Sequence, residues 1–119
     1  DYSKKVFISN NQKESIYLKY KSTRVKVIVE EIVYIQNIKE LIFVVLDSGR
    51  KIFHQGSLKK LLETISGTAI IRISNTIAIN HQKVDRLQSQ QVIIGEHKFK
   101  VSRLYLGKLK ETLKIKQIS

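Results

Sequence analysis

The chain has 119 residues, with 22 Lys and Arg against 10 Asp and Glu and no Cys, Met, Pro or Trp. That length suits one domain with a real core, and an apolar content of 42% excludes a disordered composition. Without cysteine there is no disulfide framework or thiolate chemistry, and the longest apolar run, Leu41–Leu46, is far short of the ~20 residues that cross a bilayer.

Residues 1–14 are polar around one apolar patch at 6–8, and read as a linker or a weak extra strand. No signal-peptide pattern opens the chain, and with no methionine Asp1 is expected to be a boundary inside a longer protein, the domain proper covering 15–119. A cytoplasmic location is expected. From Ile16 the pattern turns to strands. Ile16, Leu18 and Tyr20 alternate with Tyr17, Lys19 and Lys21, the period of a half-buried strand. After a turn at Ser22 and Thr23, alternation resumes through Val25, Val27 and Val29. Glu30 and Glu31 interrupt it, and 32–35 and 41–46 read as strands. Asp47, Ser48 and Gly49 form a hairpin signal before a strand at 50–54.

One short internal helix follows. Ser57 is its N-cap candidate, Leu58, Leu61, Leu62 and Ile65 form one apolar stripe, and Gly67 is placed to end it. Further strands read at 69–73, 77–79, 84–87, 91–94 and 97–101, with a turn at Gly95 and Glu96. A C-terminal helix can start at Ser102 and carry Leu106, Leu109 and Leu113 inward. There is no βαβ alternation, so the expected fold is mainly β: an elongated, sandwich-like stack of antiparallel sheets.

Enzyme chemistry finds no local support. His54, His81 and His97 are far apart, with no partner at metal-ligand spacing, and read as surface or turn residues. Glu30 and Glu31 are adjacent, so they do not face each other as an acid/base pair. No serine sits in a nucleophile elbow, and the glycines make no phosphate-binding loop. No cofactor and no metal are expected. The net charge of +12 instead points to a polyanion. Residues 98–116 alone carry a net +6, including Lys98, Lys100, Lys108, Lys110, Lys114 and Lys116, as expected of a stretch that follows a phosphate backbone.

Four motifs in order resemble the LytTR family of DNA-binding domains. They are Glu30-Glu31-Ile32 with Tyr34-Ile35, then Gly56-Ser57-Leu58-Lys59 before a leucine helix, then Arg72, Ser74, Thr76 and Asn80, and finally Val101-Ser102-Arg103. The match runs from about 16 to 114. Two positions depart from the family pattern: Ser74 replaces the usual His and Thr76 the usual Ser. The resemblance implies a domain that binds double-stranded DNA through loops, without a recognition helix. It implies promoter direct repeats occupied by two copies, and an output role in bacterial transcription regulators, mostly two-component response regulators.

It also implies three contact places. The first is the loop Asn37, Ile38, Lys39 and Glu40, where Lys39 is the expected contact and Glu40 can only accept, from a cytosine amino group. The second is Asn75 and the third is Arg103. Side-chain chemistry agrees at both: Asn offers a fork to adenine and Arg one to guanine. Arg72 is expected to touch phosphate, as are Lys100, Lys108 and Lys110, while Asn80 reads as a turn-former before His81. The rival reading, a basic RNA- or ribosome-associated β-module, requires exposed aromatics for stacking, whereas the Phe and Tyr residues read mostly as core. Membrane contact is not expected, since no basic segment carries a long apolar face.

Overall fold

The computed structural model describes residues 13–118; the patch at 6–8 and most of the 1–14 stretch lie outside them. The ten strands of these residues form three antiparallel sheets. β1 (Ser15–Tyr20) and β2 (Thr23–Ile28) make a hairpin. β3 (Ile32–Ile38), β4 (Leu41–Leu46), β5 (Lys51–Gln55), β6 (Ile70–Arg72) and β7 (Ile77–Asn80) build a central sheet in the order β5-β4-β3-β7-β6. β8 (Arg86–Gln88), β9 (Gln91–Ile94) and β10 (His97–Lys100) form the third. Helix α1 spans Leu58–Glu63 and α2 spans Arg103–Ile118. This is the mainly β, multi-sheet fold with both expected helices.

The central sheet is a middle layer with a core on each side. Ile35, Ile42, Val44, Ile52 and Ala78 on one face pack against Leu18 and Val27 of the first hairpin and Leu58 and Leu61 of α1. Ile73, Ile79 and Tyr34 on the other face pack against Val92 and Ile94 of β9 and Leu109 of α2. Burial on both faces is why 77–79 reads as an unbroken apolar run rather than an alternating one. Each fully buried Leu or Ile contributes about 1.5–3 kcal/mol.

Several boundaries differ from the sequence reading, each for a visible reason. One hairpin turn is shorter and another displaced: β3 continues through Asn37 and Ile38, leaving a two-residue turn at Lys39 and Glu40, and the first turn lies one residue earlier, at Lys21 and Ser22. Lys21, Lys39 and Ser89 enter their turns at φ near +57, as Gly95 does. That conformation is uncommon for residues other than glycine, at a cost of about 1–2 kcal/mol. Helix α1 begins where expected, with the Lys60 N–H donating to Ser57 Oγ at 3.1 Å, but it stops at Glu63, not near Gly67. The Thr64 hydroxyl donates back to the Leu61 carbonyl at 2.7 Å.

Gly67 has a different task from helix termination. Its N–H and that of Ser66 donate to the Glu14 carboxylate at 3.1 and 2.6 Å, and a Cβ on Gly67 would meet Glu14 Oε1 at 3.2 Å. Glu14 is therefore bound into the domain, although the sequence placed it in the linker. The Ser66 backbone N–H, helped by Gly67 and the Ser66 hydroxyl, holds this carboxyl below its ordinary pKa.

His81 is buried, not a surface residue, and its Nε2 lies 3.1 Å from the Thr68 carbonyl oxygen. Asn80, read only as a turn-former, is fully buried. Its Oδ1 accepts from the Gln82 N–H at 3.0 Å, capping a single 3-10 turn at His81–Lys83, and its Nδ2 donates to the Ile32 carbonyl at 2.9 Å. That 3-10 turn delays β8 to Arg86.

Candidate nucleic-acid interface

The central sheet presents one end at which four turns meet. β3 and β7 are antiparallel, so the Lys39–Glu40 turn and the 73–76 loop leave the sheet at the same end. The Asn37 N–H donates to the Thr76 carbonyl at 2.8 Å, which seats the loop against β3. The Ser102 N–H donates to the Ile73 carbonyl at 2.8 Å, which seats the β10–α2 junction on the other side of the same loop. Lys39, Asn75 and Arg103, distant in sequence, are thereby gathered on one rim.

Asn75 is exposed at the loop tip, and its amide has no hydrogen bond among the described residues. The turn-closing role belongs to Ser74, whose hydroxyl accepts from the Thr76 and Ile77 N–H groups at 3.2 and 3.1 Å. A hydroxyl in place of the family's His thus closes the loop locally, and it leaves Asn75 available to a ligand. Arg103 is exposed at the first position of α2 and makes no ion pair among the described residues. The ion pairs among the described residues, Lys13 with Glu30 at 2.9 Å and Lys83 with Asp47 at 3.4 Å, use no rim residue.

Arg72, expected at a phosphate, has another partner. Its Nε donates to the Ser74 carbonyl at 3.1 Å and a terminal nitrogen to the Asn75 carbonyl at 2.7 Å. One planar guanidinium therefore bridges two successive carbonyls of the loop that carries Asn75. Asn37 lies inside β3, not in a loop, and its Oδ1 is buried with no hydrogen-bond partner among the described residues. A buried acceptor left unpaired costs about 1–3 kcal/mol, and such groups persist where a ligand or water supplies the donor.

The basic residues are not one continuous stripe. Lys100 is exposed at the end of β10, just before the junction. Along α2, seven residues make nearly two turns, so Lys110 shares Arg103's face about 10 Å further on. Lys108, rotated by about 140°, does not. Both are exposed, while Leu109 is fully buried and Leu106 and Leu113 pack beside it.

Sequence reasoning missed Lys21. The Lys21 N–H donates to Gln55 Oε1 at 2.7 Å, and Gln55 pairs with Leu41 beside the Lys39–Glu40 turn, so the first hairpin's turn extends the rim past β5. The only sequence signal was the lysine itself. At ~4.8 Å per strand the five-stranded edge is about 19 Å wide, with Lys21 and Arg103 flanking it. No group of three or more potential metal ligands occurs among the described residues, and no helix among them is long and apolar enough to cross a membrane.

A rim of turns carrying amide, guanidinium and ammonium groups, on a chain of net charge +12, marks this as a basic β-domain with loop-borne polar groups gathered at one edge. The family model for the LytTr DNA-binding domain matches residues 22–114, and the chain belongs to that family. It is thus a DNA-binding domain, of a family defined by DNA binding and not by catalysis. The match begins after β1, although Leu18 of β1 is buried in the first core. Among solved structures, the chain is similar to the LytTr DNA-binding domain of a response regulator from Bacillus cereus, with a TM-score of 0.69 and 15% identity. The likeness covers 86% of this chain and 98% of that one, and at such identity it is a likeness of fold. No curated protein matches the chain.

Proposed function

We propose that the rim binds double-stranded DNA sequence-specifically and that residues 15–119 are the cytoplasmic output domain of a transcription regulator, of the two-component response-regulator kind. The observation that carries this reading is the pair of backbone hydrogen bonds from Asn37 to Thr76 and from Ser102 to Ile73, which bring three separate segments to one edge. In this arrangement Asn75 reads adenine and Arg103 reads guanine through their forks. Lys39 and Lys21 approach the backbone beside them, and Lys100 and Lys110 hold phosphates on the α2 side. Arg72 holds the loop, and Lys108 contributes only long-range attraction. Two copies occupy direct repeats in a promoter.

Salt dependence tests the electrostatic half of this reading. Each neutralised phosphate adds about −0.9 to the slope of log affinity against log salt. With roughly four to eight phosphates engaged, the slope is about −4 to −7. A titration of duplex binding that returns a slope near zero contradicts it.

A further inference from the structure

The second core covers only part of the central sheet's outer face. On the β4–β5 side the strand register places three cross-strand rows on that face, running inward from the rim: Leu41 with Gln55, Phe43 with Phe53, and Val45 with Lys51. β3 adds Ile38 and Gln36 to the first two rows. Ile38 is 44% exposed and Phe53 39% exposed, and neither Phe43 nor Phe53 belongs to either core. The two phenyl rings lie 5.1 Å apart at 47°, and Tyr20 meets Phe53 edge-on at 5.7 Å. Lys51 Nζ stands 5.3 Å from the Phe43 ring centre and Lys21 Nζ 5.3 Å from that of Tyr20. No carboxylate occurs in these three rows.

We propose that this face is a second nucleic-acid site, a platform on which unpaired bases of a single strand stack against Phe43 and Phe53. Two features select that ligand over an apolar protein segment. The exposed Phe53 ring and the half-buried Phe43 ring beside it offer stacking area to any base, and the charges resting on the Phe43 and Tyr20 rings are the ammonium groups of Lys51 and Lys21, which an apolar segment would have to desolvate but a phosphodiester backbone satisfies. Lys51 and Lys21 leave the ring faces for phosphates as bases take their place. The first row, Ile38 and Leu41, adjoins the Lys39–Glu40 turn directly, so a strand unpaired beside a duplex on the rim passes directly onto the platform. The site shares Lys21 with the rim, but its stacking surface uses none of Asn75, Arg103 or Arg72, so it can stand or fall apart from the rim's duplex reading.

The test uses the 119-residue chain with short oligo(dT) and oligo(U), and a duplex as control. In the wild type, either oligonucleotide should shift the ring resonances of Phe43 and Phe53. The Phe43→Leu/Phe53→Leu variant keeps apolar bulk without π faces. It should bind single strands about tenfold more weakly, with duplex affinity unchanged within about twofold. Comparing dT with U identifies whether the strand is DNA or RNA. Arg103→Ala should weaken duplex binding and leave the ring shifts intact, which separates failure of one site from failure of the other. Unmoved rings in the wild type overturn the platform, even if the double variant does not fold. Equal single-strand affinity in a folded double variant overturns it as well.

Discussion

Arg72 and Asn80 show how single side chains here act on backbone and not on solvent. Arg72 bridges the Ser74 and Asn75 carbonyls, and lysine cannot reproduce that planar fork. Arg72→Lys should therefore loosen the loop under Asn75. A loosened reading residue costs part of the ~1–3 kcal/mol that a bidentate contact supplies. The expected outcome is a fall of several-fold in affinity for a cognate duplex, with scrambled-duplex affinity and the salt slope unchanged. An equal fall on both duplexes, with a slope lower by about one, marks a phosphate contact instead. Asn80 is the second case. Fully buried, it ties the start of β3 to the end of β7 and caps the following turn. Asn80→Ala leaves the buried Ile32 carbonyl without its amide partner and uncaps the turn at Gln82, and should lower stability by about 1–3 kcal/mol in urea denaturation.

The elements are joined by seams that carry their own pH response. β1 runs beside β5 with the Lys19 N–H donating to His54 Nδ1 at 3.0 Å. Burial pushes the His54 imidazole below its usual pKa, and a protonated ring could no longer accept that hydrogen bond. The folded pKa lies below the unfolded one, near 6.5, so the neutral ring's stabilisation is complete above about pH 6.5. It is lost as pH falls from there through the folded value. Denaturation at pH 7.5 and 5.5 should show the loss in the wild type and a smaller one in His54→Asn, which keeps an acceptor. An identical pH response in both would exclude His54 as its source. Much of this element layer was legible in the sequence. The Ile16, Leu18 and Tyr20 alternation, the Ser57 cap and the Leu58, Leu61 stripe are local signals, and they hold. What was not legible depends on contacts distant in sequence. Gly67 resembles a helix stop, but its N–H serves Glu14, 53 residues away. His81 has the polarity of a surface residue, but its partner is the Thr68 carbonyl. Lys21 and Lys39 sit at positive φ, where a sequence reader expects glycine, so both turns were drawn too long or displaced.

At the scale of the whole molecule, one edge collects residues that the chain keeps more than 60 positions apart, on loops anchored by hydrogen bonds to a sheet buried on two sides; in the proposed function these loops carry the base-reading groups. Two such domains on direct repeats must face the same side of the duplex, so repeat centres should be whole turns apart, each ~10 to 10.5 base pairs. Inserting about half a turn should abolish paired occupancy in a footprint; unchanged footprints count against tandem binding. The positions of Asn75, Arg103 and Lys39 were available from motif resemblance, while their convergence was not, because Asn37–Thr76 and Ser102–Ile73 are backbone bonds that leave no mark in residue type. The most direct measurement compares affinity for a cognate and a scrambled duplex at one salt concentration, for Asn75→Ala, Arg103→Ala, Arg103→Lys and Lys110→Ala, each checked for folding by circular dichroism. Asn75→Ala and Arg103→Ala should shrink the ratio of the two affinities by the equivalent of about 1–3 kcal/mol. Arg103→Lys should hold the scrambled affinity and lose much of the cognate one, and Lys110→Ala should leave the ratio nearly intact. Equal losses on both duplexes for Arg103→Ala would make Arg103 a phosphate clamp and contradict base reading at the rim.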